Sequence, residues 1–271
     1  PYSTGAGPRP GEIYRVPTSY PFRDGGRSGA DVARQAIAYL EKVSGADNLA
    51  CFVIEPIQGE GGVIVPAEGY LETIQAWCNE NGIVVIADEI QTGLGRTGKL
   101  FASEHFGFVP DIVVMAKAIG AGIPLSAITG RADIMDAMPA GALSGTYSGN
   151  PVAAAATVEV LQQLQAPGAM DRTTEIGERL RAGLEALKEK HAVIADVRGH
   201  GALFGVELVN EDGSPNAAAF GTVSKAALER GLLIMAGGSD GHVLRLLPQV
   251  NISDDLIDEA LHILDQAFAT L

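Results

Sequence analysis

The sequence predicts an α/β fold built on a mostly parallel sheet, followed by a smaller C-terminal α+β part. Three observations predict it. Segments with helical spacing alternate with short apolar runs between residues 31 and 130. Each of those runs is continuous rather than alternating in polarity, as in strands buried on both faces. Beyond Asn150 the alternation gives way to long helical stretches with short strands between them, a pattern of a second kind of layer.

Residues 1–27 are rich in Pro, Gly and Tyr and lack any period, so neither a strand nor a helix is expected there. "DVARQAIAYLEKVS" has helical spacing, and "LACFVIEP" reads as a buried strand closed by an acid and a proline. "YLETIQAWCNENG" is a second helix stopped by Gly82, and "IVVIADE" a second buried strand. "DIVVMAK" and "LSAITGR" supply a third and fourth strand of the same parallel sheet. "PVAAAATVEVLQQLQ" opens with proline at a helix start, and "DRTTEIGERLRAGLEALKEKH" is a long amphipathic helix. "ALFGVELV", a helix near residues 217–230, "LLIMAG", "VLRLLP" and a last helix from Ser253 complete the chain. Ala-Pro-Gly at 166–168 breaks the pattern, placing a boundary between a large domain, 1–165, and a small one, 166–271.

At 271 residues the chain is long enough to bury a substantial core. A formal charge of −14 excludes a nucleic-acid partner, which requires a basic footprint. No apolar run reaches membrane-spanning length, Lys117 interrupts the longest, and the N-terminus has no signal pattern; a soluble, cytoplasmic protein is expected. Cys51 and Cys78, both in apolar sequence surroundings, give no disulfide framework and point to a reducing compartment. The five histidines show no metal-ligand spacing, so no metal is expected.

The stretch "VVIADEIQTGLGRTGKL" matches two nucleotide patterns at once. Gly93, Gly95 and Gly98 spell G-x-G-x-x-G, and with Lys99 the run also approaches a P-loop. A dinucleotide site needs its first glycine directly after the strand, whereas residues 88–92 intervene here. In a P-loop, Leu100 would stand where a magnesium-binding hydroxyl is required. The glycines are therefore read as a turn in which backbones approach closely, with Arg96 as a structural ion-pair partner.

Chemistry gathers instead at the strand ends, where open α/β sheets bind their ligands. "VIEPIQGEGG" carries Glu55, Gln58 and Glu60; "VIADEIQTG" carries Asp88 and Gln91; "VVMAKAIGAG" carries Lys117. Any one of these alone is more often part of a solvated ion pair. Together they suit pyridoxal phosphate (PLP), which needs a buried lysine amine for a Schiff base and a carboxylate to keep its ring nitrogen protonated. Gly120 and Gly122 are read as clearing space beside the amine. Asp88 suits the ring nitrogen and Gln91 the phenolic oxygen, with "SGTYSGNP" (144–151) a candidate phosphate contact or, equally, a helix N-cap.

"EPIQGEGG", "ADEIQTGLGRTG", "MAKAIGAGIPLSAITGR" and "SGTYSGNP" resemble the class III (ornithine/4-aminobutyrate type) PLP-dependent aminotransferases of fold type I. "PYSTGAGPRPGEIYRVPTSYPFRDG" and "GRADIMDAM" resemble the 4-aminobutyrate branch of that family. Departures are mild: "GAL" before "SGTY", and "AIGAG" after the lysine. The resemblance implies that Lys117 is the Schiff-base lysine, Asp88 the partner of the pyridine nitrogen and Gln91 of the phenolic oxygen. It implies that Thr146 reaches the cofactor phosphate of a neighbouring subunit in a homodimer. Arg245, by itself readable as a surface ion pair, would grip the α-carboxylate of glutamate or 2-oxoglutarate. Glu60 would neutralise it while 4-aminobutyrate, which has no such carboxylate, is bound, and neighbouring glycines would leave room for it to swing. The implied reaction passes the amino group of 4-aminobutyrate to 2-oxoglutarate, giving succinate semialdehyde and glutamate. An ornithine, acetylornithine or other ω-amino-acid aminotransferase is the alternative within the family; a non-catalytic fragment or a nucleotide-binding domain lies outside it. The family's phosphate-cradling loop and ring-stacking aromatic are expected upstream of Pro1, so the chain alone is expected to be inactive.

Overall fold

The computed structural model describes residues 7–8, 10–142 and 145–271. Four strands form the first sheet: β1 (Cys51–Ile54), β2 (Val84–Asp88), β3 (Ile112–Met115) and β4 (Ala127–Gly130), in that order across it. β1 to β3 are mutually parallel, as the continuous apolar runs predict. β4 is not: it returns antiparallel to β3. A parallel return requires a crossover over the sheet face, and the connection contains only a 3₁₀ turn at Lys117–Gly120.

Helix α1 (Gly29–Val43) starts where the Ser28 hydroxyl accepts the Asp31 N–H. Its face Val32, Ala33, Ala36 and Leu40 meets the face Tyr70, Leu71, Ile74, Trp77 and Cys78 of α2 (Tyr70–Glu80), with Val85 and Ala87 of β2 in the same core. Burial on both faces is expected for all these strands, but β1 alternates: Phe52 and Ile54 pack against that core, while Cys51 is exposed and Val53 is 60 % exposed. β1 is an edge strand covered on one face, so the apolar setting expected for Cys51 does not hold, whereas Cys78 is fully buried.

A short helix α3 (Ala132–Met135), then α4 (Pro151–Gln165) and α5 (Asp171–Lys190), lead into a second sheet. It contains β5 (Ile194–His200), β6 (Leu203–Leu208), β7 (Met235–Gly237) and β8 (Val243–Leu246), ordered β5-β6-β8-β7 and antiparallel throughout. α6 (Ala217–Leu228) and α7 (Asp254–Phe268) pack with α5 on it, burying Ile176, Leu184, Phe204, Leu244 and Ile257 in one cluster. Ile57, Val63, Ala102 and Leu203 join the two sheets' surroundings. Arg96 does the same by polar means: its guanidinium donates to the carbonyls of Ala202 (3.2 Å) and Pro248. The ion pair expected for Arg96 is absent among the described residues, because backbone carbonyls supply its acceptors.

Candidate active site

Strand register places the candidates. Ile54 pairs with Ala87, and Asp88 with Val114, so Glu55 and Asp88 end neighbouring parallel strands side by side. Lys117 follows three residues past Val114. One Asp88 oxygen accepts the Ile90 N–H at 3.0 Å; the other receives no hydrogen bond among the described residues. Glu55 accepts the Gly59 N–H at 2.8 Å. Burial, then the charges of Asp88 and Glu60, hold its carboxyl above the usual range against the opposing pull of Gly59 and Lys117.

Lys117 departs from expectation in being exposed rather than buried. After the extended Ala116 the backbone turns out of the sheet, and Lys117 takes a left-handed φ of 51° at the start of its 3₁₀ turn. That conformation disfavours a residue with a Cβ and marks a locally strained position. Gly122 is needed for its φ of 99° rather than to clear space, since a Cβ there would meet nothing within 4 Å.

The loop from Gln58 to Ile64 is fixed at its base by paired backbone hydrogen bonds of 3.0 Å. The Glu60 carbonyl accepts from the Gly238 N–H at 3.0 Å and that of Gly62 from Arg198 at 2.7 Å. Within it Val63, β-branched, has a φ of 52°, a strained value for such a side chain. A Cβ on Gly59 would lie 1.8 Å from the Gln91 side-chain oxygen, and one on Gly61 2.5 Å from that of Gln58. The glycines thus permit close approach in a pinned loop, and any swing of Glu60 is confined to its side chain.

Glu60, Gln91 and Arg245 come together. Arg245 Nη1 lies 2.5 Å from Glu60 Oε1 and 3.4 Å from Gln91 Oε1, while Gln91 Nε2 donates to Glu60 Oε1 at 3.1 Å. The Arg245 side chain is 5 % exposed and that of Glu60 43 %; the surface ion pair is in fact half interior. Thr146 is exposed in a turn before α4 and, among the described residues, makes no hydrogen bond to any of these. Asn150 caps that helix, accepting from Val152 and Ala153, which satisfies the N-cap reading; Ser144 lies outside the described residues.

Two further polar centres escape pattern reading. Glu89, 1 % exposed, accepts from Thr92 Oγ1 (2.5 Å), Ser103 N (2.8 Å) and Ala102 N (3.1 Å), and so shapes the glycine turn. Period two beyond the buried Ala87 predicts that Glu89 faces the covered side, a signal available in "ADE". Buried Glu207 gathers Tyr20, Arg23, Arg198 and His242. Burial opposes its charge, yet Tyr20, Arg198 and Arg23 together hold its carboxyl below the usual range. The glycines themselves form the close turn expected of them: Gly95 and Gly98 both have φ of 83°, and a Cβ on Gly98 would lie 2.8 Å from Thr174 Oγ1.

A three-strand parallel core with an antiparallel edge strand, followed by a small antiparallel sheet with helices, matches part of the fold of solved transaminases, which are fold type I PLP-dependent transferases. An aminotransferase structure from Bacillus anthracis superposes with a TM-score of 0.92 at 27 % identity, covering 98 % of this chain and 63 % of that one. The family profile described as aminotransferase class-III matches residues 1–268, and the chain belongs to that family. It is 45 % identical over 273 residues to the 4-aminobutyrate aminotransferase of Mycobacterium leprae, covering 98 % of this chain and 61 % of the relative. It is 41 % identical over 277 residues to the 5-aminovalerate aminotransferase of Pseudomonas putida, covering 100 % and 64 %. The chain therefore spans between 61 % and 64 % of the length of these curated relatives.

Proposed function

We propose that a protein carrying this chain transfers the amino group of 4-aminobutyrate to 2-oxoglutarate, giving succinate semialdehyde and glutamate. The Glu60–Arg245 contact is the observation that carries this reading. A guanidinium 5 % exposed needs a counter-charge whenever no substrate carboxylate meets it, and Glu60 supplies one at 2.5 Å. The relative that acts on 5-aminovalerate favours, as a second reading, a longer ω-amino acid at the same site.

Class III aminotransferases use PLP, and the residues fit it. Among the described residues Asp88 keeps an oxygen free of hydrogen bonds at a strand end, Lys117 stands beyond the neighbouring strand, and Gln91, three residues past Asp88, contacts Glu60 and Arg245. Asp88, Gln91, Lys117 and, across a homodimer, Thr146 would hold it. When bound, it supplies the electron sink for breaking the substrate C–H bond. Lys117 would then serve as general base and acid for the proton, and Asp88 would favour a positive charge opposite its second oxygen. The separate cores of the two sheets support the division into 1–165 and 166–271. Among the described residues no helix is long and apolar enough to cross a membrane, and both cysteines are free; with the acidic charge, these support a cytoplasmic enzyme without a nucleic-acid partner.

The test is absorbance on adding PLP to the protein, then borohydride reduction and peptide mapping. A pyridoxyl group found on Lys117 is expected. Tight ATP or NAD binding with no label on Lys117 would overturn the reading.

A further inference from the structure

A cavity of about 280 Å³ opens where the glycine turn, α5 and the β5–β6 turn converge. The convergence is close: a Cβ on Gly177 would lie 2.9 Å from Gly201, and one on Gly201 2.5 Å from the Thr97 backbone. Lys99, Arg181, His105, His200 and Thr174 line the cavity, with Glu178 also on its wall. The two imidazoles stack at 4.5 Å between centroids, inclined by 21°. His105 Nε2 contacts the Thr97 carbonyl at 3.0 Å and hydroxyl at 3.1 Å. Arg181 donates to the Gly199 carbonyl at 2.6 Å and lies over the Phe204 ring.

Two cationic side chains, Arg181 and Lys99, border this cavity. The protein is strongly acidic, and Arg23, Arg131, Arg172, Arg179, Arg198 and Arg245 each touch a carboxylate. Among the described residues neither Arg181 nor Lys99 does, although both border one cavity. We propose that this cavity binds a small tetrahedral dianion, a sulfate or phosphate group, between Arg181 and Lys99, with His200 as a further donor.

Burial, then His105 and Arg181, hold the His200 pKa down to about 4. Burial and Lys99 lower that of His105, opposed by Thr97 and by Glu104 and Glu89 behind it. A dianion beside Arg181 reverses the local field, so the complex binds protons more readily than the free protein does. Affinity then rises as pH falls through the imidazole range. Glu178, on the same wall, opposes an anion there.

The probe is sulfate, doubly charged across this range, titrated at constant ionic strength with chloride as the balancing ion. The ring signals of the five histidines are read by NMR. Saturable shifts confined to His105 and His200 are expected, with affinity rising as pH falls from the ordinary imidazole pKa of about 6.5 toward the His200 value of about 4. Lys99→Gln, at an exposed position, should weaken binding roughly fivefold, and Arg181→Gln should abolish the shifts. Should Arg181→Gln not fold, Lys99→Gln decides alone. Shifts that never saturate, that spread over all five rings, or that survive Lys99→Gln undiminished would overturn the site.

Discussion

Arg245 Nη1 meets two acceptors, Glu60 and Gln91, and its Nε a third, the Ala236 carbonyl at 2.9 Å. Only Glu60 carries a charge, so the residue-scale consequence of losing it is a poorly compensated guanidinium. Because Glu60 is 43 % exposed, solvent screens part of the effect, leaving a loss of about 1–3 kcal/mol. In an enzyme of the relatives' full length carrying this chain, Glu60→Ala should slow the 4-aminobutyrate half-reaction roughly ten- to hundredfold. The glutamate half-reaction, in which substrate itself neutralises Arg245, should change far less, and Arg245→Ala should invert the order. Single-turnover rates with each amino donor check this; equal losses remove the switch. Asp88, Lys117 and Glu60 stood out as candidates in sequence because acids and amines at or just beyond apolar strand ends break the pattern visibly. Arg245 needed the family resemblance, since an arginine in a short strand has no such signal. The inward direction of Glu89 was legible from the period, but neither Glu89 nor Glu207 was legible as a centre: apart from Thr92, their donors come from distant backbone and from Tyr20, Arg23 and Arg198, which no local spacing relates.

The glycine turn shows how an element defeats a motif. Its spacing satisfies one nucleotide fingerprint and approaches a second, yet its shape follows from Glu89 gathering donors and from the approach of Gly201, which no fingerprint records. Gly201 has a φ of 53° and a Cβ there would sit 2.5 Å from backbone. Gly201→Ala should therefore destabilise by about 2–4 kcal/mol, measured by urea unfolding. The same junction responds to pH. His200 is held at about 4 in the folded chain, below the ordinary 6.5, so the unfolded chain binds the proton first as pH falls. Stability contributed by the neutral ring is complete above 6.5 and declines toward 4. Thermal midpoints should drop across that window, and His200→Gln should flatten the drop; a parallel decline in both proteins removes His200 as the cause. β4 is the other lesson at this scale. Strand composition foretold its existence, but direction depends on the length and path of the connection, which apolar runs do not encode.

For the molecule as a whole, net repulsion from a charge of −14 favours solubility, but two apolar features oppose it. β1 offers an open edge with Val53 60 % exposed, a template for pairing with another chain. Leu233, 72 % exposed, and Met235, 55 % exposed, border a cavity of about 460 Å³ against α7. The 271-residue chain by itself should therefore self-associate in light scattering, and Val53→Lys should reduce that association. With the lysine exposed and the cofactor contacts few, its turnover of 4-aminobutyrate with 2-oxoglutarate should stay well below roughly 1 per second. A monodisperse chain turning over faster than that contradicts the expectation. The fold class was legible because buried parallel strands write continuous apolar runs; how completely each face is covered was not, since the same run serves a strand covered on one side or two.

The left-handed backbone at Lys117 sets the demands of folding against those of use. A lysine there holds φ at 51°, a region asparagine enters with less penalty. Lys117→Asn should raise stability by about 0.5–1 kcal/mol while removing the amine, and a thermal midpoint lower than that of the parent would refute this. Selection for a sturdy fold would then erode the lysine rather than guard it, so its persistence in any lineage would record continued demand for its chemistry.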